Sequence, residues 1–565
     1  MNPGRWVRLG AYVLSIAFAS AWFALPATAQ YVFEDPVRAA YELPPNPIIR
    51  SPRLLGMGRL TMVIPDNAND LQLWDFANNP AGLYDSDSTS VLELRPVTSS
   101  SSSTQNFSDE QGPGILQTEA SRDAHLAFEA WRRAKGETSY GLIGGVDLLR
   151  GDLPYDDQTE VRSQVSNPAG MPVIAGPMPF ILSDRMVYAL RGIFSIDDTH
   201  DAYRLRVRNA AGSYLDHEGT LIGPPDFFTP DDYFVRQMGG GASAALRISP
   251  SLTWAFGGDI TNQVIEGSND GERYDSQTEE SRPLYKGQTT FIGKLGKAAQ
   301  WGLDGQAWSS SSDASWVFTI SPSGGPGPSR PPLAGRGNLF KRDESGTRLR
   351  ARVRWPIGLY ELGGSFGTLY SKTKVTPAPL SDPTSFDLFR YQIYFTEQTG
   401  DTLVLPEEIL RSTSESRAWE ASGGASWRIP KRHGIVGLEY HYIQNALDEL
   451  TSLGSVPDEL LGLPQIATAT KGKAWDVRAG AEFGLTEVLM ARGGYIYRSG
   501  DQNENTQQNE YFTNTATLGL GLHPLGASWG FDAGYAIQWG AADYGTPTEP
   551  HSKADELSLR VRWDF

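Results

Sequence analysis

LSLRVRWDF, residues Leu557 to Phe565, places Leu557, Leu559, Val561, Trp563 and Phe565 on one parity and Ser558, Arg560, Arg562 and Asp564 on the other. A strand of this sequence has one apolar face and one charged face. An unpaired edge strand of that kind templates aggregation, so something must pair with it. Closing the sheet on itself supplies the partner. The pattern therefore predicts a barrel, with a buried terminal strand in a secreted β-sandwich as the alternative.

The chain has 565 residues, enough for several soluble domains or for one large barrel. Cysteine is absent, which excludes a disulfide framework, a thiolate metal site and a cysteine nucleophile. The formal net charge of -17 argues against a nucleic-acid partner, whose phosphates would be repelled. The seven His have no metal-ligand spacing, so neither a metal nor a cofactor is expected. Sixty Gly and 37 Pro beside 15 Trp and 23 Tyr suit a turn-rich, aromatic-rich β protein. A helical membrane bundle needs a far more apolar average, whereas a barrel hides its lipid face in alternation.

Arg5 and Arg8 precede an apolar run from Leu9 to Leu25, and Ala27-Thr28-Ala29 offers small residues for cleavage. Residues 1–29 thus read as a secretory signal peptide. Residues 30–87 read as a Pro-rich periplasmic arm and a small N-terminal plug, because Pro36, Pro44, Pro45, Pro47 and Pro52 forbid central strand and helix interior alike. Residues 88–565 read as an all-β, transmembrane antiparallel β-barrel of roughly 14 to 18 strands. The stretches that alternate are mostly about 9 to 13 residues long, as in Trp475–Phe483 and Trp529–Trp539, with Tyr203–Arg208 and Arg348–Trp355 as shorter clear examples. Short connections at 135–137, 197–199, 250, 430–432 and 523–526 alternate with long ones at 98–123, 151–183, 211–235, 310–345 and 371–413, the pattern of periplasmic turns and external loops. Trp529 and Trp539 share a parity and should stand about 25 Å apart along a membrane normal, the separation of two aromatic girdles.

SPRLLGMGRLTMVIPDNANDLQLWDFANNPAGLYDSD, residues 51–87, contains Gly56-Met57-Gly58-Arg59, an acidic segment from Asp66 to Asp70, and Asn78-Asn79-Pro80-Ala81-Gly82-Leu83. In that order it resembles the plug of the FadL-type long-chain fatty acid transporters of the outer membrane and their wider relatives. The strand ending in Phe565 is similar to the closing strand of such barrels, whose final aromatic the assembly machinery reads. The resemblance implies a bacterial outer-membrane location, contact with outer-membrane lipid, a gate at Gly56, Gly58, Asn79 and Pro80, and passive transport of a hydrophobic or amphipathic small-molecule solute. It also implies a wall break at a kinked strand, for which Gly239, Gly240 and Gly241 are candidates. Relatives that act as partners or shuttles for secreted proteins supply the alternative function.

With the apolar parity outside, the other parity lines the lumen, and it is rich in arginine. Arg204, Arg206 and Arg208 form one ladder, and Arg348, Arg350, Arg352 and Arg354 another. Guanidinium groups cannot shed their charge, so each ladder must meet water, carboxylates or an anionic solute. Asp476, Glu482, Asp532 and the acidic plug are the expected partners. Paired glycines such as Gly363-Gly364 and Gly493-Gly494 are expected to bend strands and make room for the plug. No catalytic residue is assigned: Glu439 and His441 share the lumenal parity, but no nucleophile is placed beside them, and the protein is not expected to be an enzyme.

Overall fold

The computed structural model describes residues 51–64, the strands named below, and the tight turns at 250–251, 358–359, 485–488 and 523–528. The signal-peptide region, Asp66, Asp70, Asn79, Pro80 and Phe565 lie outside the described residues.

In chain order the strands are β1 (Ser90–Phe107), β2 (Ile115–Arg133), β3 (Ser139–Asp152), β4 (Val161–Ser163), β5 (Met178–Leu182), β6 (Met186–Thr199) and β7 (Tyr203–Arg208). There follow β8 (Tyr214–Asp216), β9 (Asp232–Ser249), β10 (Leu252–Asp270), β11 (Tyr274–Leu295), β12 (Ala299–Ile320), β13 (Leu333–Ile357) and β14 (Tyr360–Pro377). The last are β15 (Ser412–Ile429), β16 (Gly434–Thr451), β17 (Ala467–Gly484), β18 (Leu489–Glu504), β19 (Gln507–Leu522), β20 (Trp529–Asp543) and β21 (His551–Asp564). Eighteen of them form one sheet in which sequence neighbours pair antiparallel. β21 then pairs with β1, from Val91 opposite Asp564 to Thr104 opposite His551, and the sheet closes. Leu557 to Trp563 thus form the seam, with ladder partners on both β1 and β20.

Alternation follows the strands as their sequence requires. On β13, Leu349, Val353 and Trp355 are exposed outside while Arg348, Arg350 and Arg354 turn inward. On β20, Tyr535 and Trp539 face out, and Asp532, Ala536 and Gln538 are buried inside. The outer face carries two aromatic rows. Trp355, Tyr360, Trp427 and Phe483 form the row near the short turns, and Tyr370, Trp419, Tyr440 and Trp539 form the row near the long connections. This apolar band makes the closed sheet a transmembrane barrel.

Three expectations change. The strands run to 25 residues on β13 and 22 on β11 and β12, so much of 98–123 and 310–345 is strand, not loop. Once a ladder is established, polar alternating sequence extends it beyond the apolar band at no cost, because water satisfies whatever the ladder does not. Second, Tyr203–Arg208 is not a wall strand: it pairs with β4 and β8 in a separate three-stranded sheet. Arg204, Arg206 and Arg208 therefore do not form a lumenal ladder. Alternation predicts an amphipathic strand but not its partner, and here the short β5 takes the wall position. Asp197–Thr199 consequently ends β6 on the side of the long connections and is not a periplasmic turn. Third, Gly239–Gly241 do not break the wall, since each is paired in register to both β6 and β10. A Cβ on Gly241 would lie 1.9 Å from Asp259 Oδ1, and one on Gly239 2.3 Å from the Ile260 carbonyl, so these glycines admit close strand approach rather than an opening.

Glycine does shape the short-turn side: Gly358 and Gly526 adopt left-handed φ values of 63° and 71°. Protease added to intact cells is expected to cut within 378–411, on the long-connection side, and to spare the turns at Gly358-Leu359 and Pro250-Ser251. Cutting confined to those turns would invert the orientation.

Candidate functional site: the inner segment and its carboxylate anchors

Residues 51–64, which include Gly56 and Gly58 of the expected gate, lie inside the barrel against β14 to β21. Pro52–Gly56 forms one helical turn, α1, opened by Pro at its first position and by Ser51, whose Oγ accepts from the Leu54 N–H at 3.4 Å. Gly58 and Arg59 then take φ values of 69° and 57°, turning the chain while the Arg59 N–H donates to the Leu54 carbonyl at 2.8 Å. Only glycine enters that conformation without steric cost, which explains Gly58, while a Cβ on Gly56 would lie 2.8 Å from the Gly519 Cα.

The wall makes room for this segment with glycines, as expected for the pairs that include Gly363 and Gly494, and also at Gly480 and Gly534, which the pairing did not single out. A Cβ on Gly480 would lie 2.0 Å from the Met57 carbonyl oxygen, one on Gly494 2.2 Å from Gly58 N, and one on Gly534 2.3 Å from the Pro52 carbonyl oxygen. Across that bare surface Thr517 Oγ1 accepts from the Gly58 N–H at 2.9 Å and donates to the Gly56 carbonyl at 3.2 Å. Leu55, Met57, Leu60 and Val63 are fully buried, and Leu54, Met57, Leu60 and Ile64 pack with Ile435 of the wall.

Charge fixes the ends. Arg53 grips Glu482 bidentately at 2.9 Å through both contacts, and Glu482 also accepts from Arg492 at 2.6 Å. Arg59 pairs with Glu556 at 2.7 Å, while Arg478, itself forked onto Asp476, donates to the Arg59 carbonyl at 3.0 Å. The described part of the segment therefore presents arginines to acidic wall residues, while the acidic stretch expected to face the basic ladders, Asp66 to Asp70, lies outside the described residues. Asp532 and Asp476 are indeed lumenal and paired, but with Arg492, Arg560, Arg478 and Arg498. The ladder on β13 uses other carboxylates: Arg350 and Arg352 share Asp304, and Arg354 meets Glu361.

Glu439 is the anchor that sequence reasoning did not find. Its carboxylate, with no exposed surface, accepts from three successive backbone N–H groups: Thr61 at 3.1 Å, Met62 at 2.6 Å and Val63 at 2.9 Å. His441 Nε2 lies 3.0 Å from its Oε2, and Ser426 Oγ donates to the Val63 carbonyl at 2.6 Å. Burying a carboxylate costs several kcal/mol. Charge-assisted bonds at about 1.5–3 kcal/mol each offset that cost. With its lone pairs committed to peptide donors, Glu439 is a positioning group, and no nucleophile stands in its bonding shell. The only prior signal was its lumenal parity beside His441.

The sequence matches no protein-family model and no curated protein sequence. Among solved structures, a Pseudomonas aeruginosa FadL homologue aligns at 12% identity and a TM-score of 0.38, covering 91% of this chain and 98% of that one. The Ralstonia pickettii toluene transporter TbuX aligns at 10% identity and a TM-score of 0.32, again over 91% of this chain and 98% of that one. The P. putida toluene transporter TodX aligns at 10% and 0.33 over the same shares. The chain is similar to FadL-type barrels. The likeness is one of fold, and the fold itself stands on the closed strand pairing.

Replacing Glu439 with Ala leaves the buried Val63 N–H without an acceptor, at about 1–3 kcal/mol, and frees the part-buried Thr61 and Met62 N–H groups. Leu60→Cys, a unique thiol in a cysteine-free chain, should then react with maleimide at least about tenfold faster than in the Glu439 parent, by local release of the segment. Heat-modifiable mobility should persist, because the wall ladder is untouched; an unchanged labelling rate would remove Glu439 from its anchoring role.

Proposed function

We propose that the protein resides in the outer membrane of a bacterial cell and passively admits hydrophobic or amphipathic small molecules, with residues 30–87 serving as arm and plug. The observation that supports this reading is the shortness of the β5 ladder among the described residues. β3 pairs with β5 only from Ser139 to Ile143, and β5 pairs with β6 only from Phe180 to Leu182. Among the described residues, Gly144–Asp152 and Leu190–Thr199 have ladder partners on one side alone. Backbone polar groups without partners are tolerated at membrane depth only where they line a water-filled or protein-covered space. A side path between lumen and membrane satisfies that condition. β4 pairs with β7, so the two long connections flanking β5 join to each other beyond it.

The lumen offers such a solute both kinds of surface. Trp308, Leu369, Ala418, Ile443, Ala474 and Tyr511 form an inward apolar cluster. The β13 arginines, with Asp304 and Glu361 as acidic neighbours, offer cationic groups to a carboxylate-bearing solute. The solute class itself comes from the resemblance of residues 51–87.

Gly144 and Gly192 stand level beyond the β5 ladder, two strand spacings or about 10 Å apart, and a Cβ on Gly192 would meet nothing within 4 Å. Joining Gly144→Cys and Gly192→Cys with a short bismaleimide should lower uptake of an apolar fluorescent probe into proteoliposomes severalfold, while each singly labelled variant keeps wild-type uptake. Unchanged uptake in the cross-linked protein would sink the side path. In the same assay, Arg350→Gln with Arg352→Gln should lower the ratio of fatty-acid to neutral-hydrocarbon uptake; an unchanged ratio would make the ladder purely structural.

A further inference from the structure

We propose that the outward face of β14, β15 and β17, at the long-connection rim of the apolar band, binds the phosphate groups of an anionic membrane lipid. The argument begins with position. Phe366, Trp419 and Tyr442 form one outward aromatic chain, with ring centroids 6.4 and 5.0 Å apart, and Tyr440, Trp475 and Tyr497 form another at 6.4 and 5.4 Å. Aromatic side chains of this kind mark the level where hydrocarbon gives way to headgroups. Immediately beyond them, on the same outward parity, stand Arg417 and Lys473, then Lys372 and Lys471, then Lys374.

Register brings these residues together. Arg417 lies opposite Tyr370 on β14 and opposite Ala446 on β16, and Ala446 in turn lies opposite Lys471 on β17. Arg417 and Lys471 therefore flank a single small side chain at two strand spacings, about 10 Å. A phosphate with its oxygens between them would meet a guanidinium on one side and an ammonium on the other, over a floor too small to obstruct it. The Arg417 guanidinium is already oriented, 6.0 Å above the Tyr370 ring.

Charge separates this patch from the rest of the rim. Elsewhere on the outward face, Arg236 is matched by Glu266 and Lys341 by Asp343. On β14 to β17 five cations face Glu415, which holds Lys372 and Arg417, Asp448, which lies opposite Glu415 in register, and Asp501, which holds Lys473. Glu510 adds a carboxylate opposite Asp501. Among the described residues no carboxylate lies within ion-pair range of Lys374 or Lys471, in a chain whose net charge is -17. Long basic side chains at a lipid interface extend along apolar surface and set their charges at headgroup level. A protein ligand would have to share that level with lipid; an anionic headgroup already occupies it.

The test uses the full-length barrel in detergent micelles, with diphosphoryl lipid A as the phosphorylated probe, its dephosphorylated form and inorganic phosphate as controls, and native mass spectrometry as the readout. Wild-type protein should retain the diphosphoryl lipid and not its dephosphorylated form, and inorganic phosphate alone should leave no adduct. Lys374→Gln, Arg417→Gln, Lys471→Gln and Lys473→Gln together should weaken retention by about two orders of magnitude at low salt, with heat-modifiable mobility unchanged. Equal retention of the dephosphorylated lipid would assign binding to acyl contact. Equal retention by the folded quadruple variant would place the site elsewhere. An adduct of inorganic phosphate matching that of the lipid would make it a free-anion site. Each of these three results overturns the proposal.

Discussion

A peptide group in hydrocarbon has no water to bond, and this single constraint organises the molecule. Each unsatisfied N–H or C=O at membrane depth costs several kcal/mol, so a spanning sheet must have no free edge. Pairing of β21 with β1 meets the requirement, and it does so with the strand whose apolar and charged faces the chain keeps apart most clearly. The outward face is then free to be as apolar as lipid demands. Within the apolar band, the charge falls to the inward face.

That division creates the second problem, which is how to hold many guanidinium and carboxylate groups in a confined space. The wall solves it by sharing: Asp532 accepts from Arg492 and Arg560, Glu482 from Arg492 and Arg53, and Glu439 from peptide donors of the inner segment. Removing one member of such a network strands the others, so the network favours one arrangement of the segment over its competitors. Bare glycines on β17, β18 and β20 let the segment's backbone come within bonding distance of that network. A wall with side chains at those positions would hold the segment too far away for Glu439 and Thr517 to reach its peptide groups.

Strength is distributed unevenly around the ring. β11 to β14 pair over long ladders that continue past the apolar band, whereas β5 contributes five residues and joins β3 to β6 only near the short turns. Among the described residues the shortest ladders of the wall are those of β5, and the connections on its two flanks pair with each other through β4 and β7.

Residue order alone determined that the chain would form a barrel with an apolar exterior and that arginines on β13 would face inward. Both follow from a period of two, which is local, whereas the turn at Gly56 to Gly58 was expected from the resemblance of residues 51–87. Tyr203–Arg208 and Gly239–Gly241 were legible as a strand and as a glycine run, but not as parts of a loop sheet and of an intact ladder, because pairing is a relation between distant segments. The same reason hid Glu439: nothing within its own strand indicates that the peptide groups of Thr61, Met62 and Val63 will stand against it. Sequence fixes which face a side chain occupies, whereas only closure of the sheet and seating of the inner segment decide what that face meets.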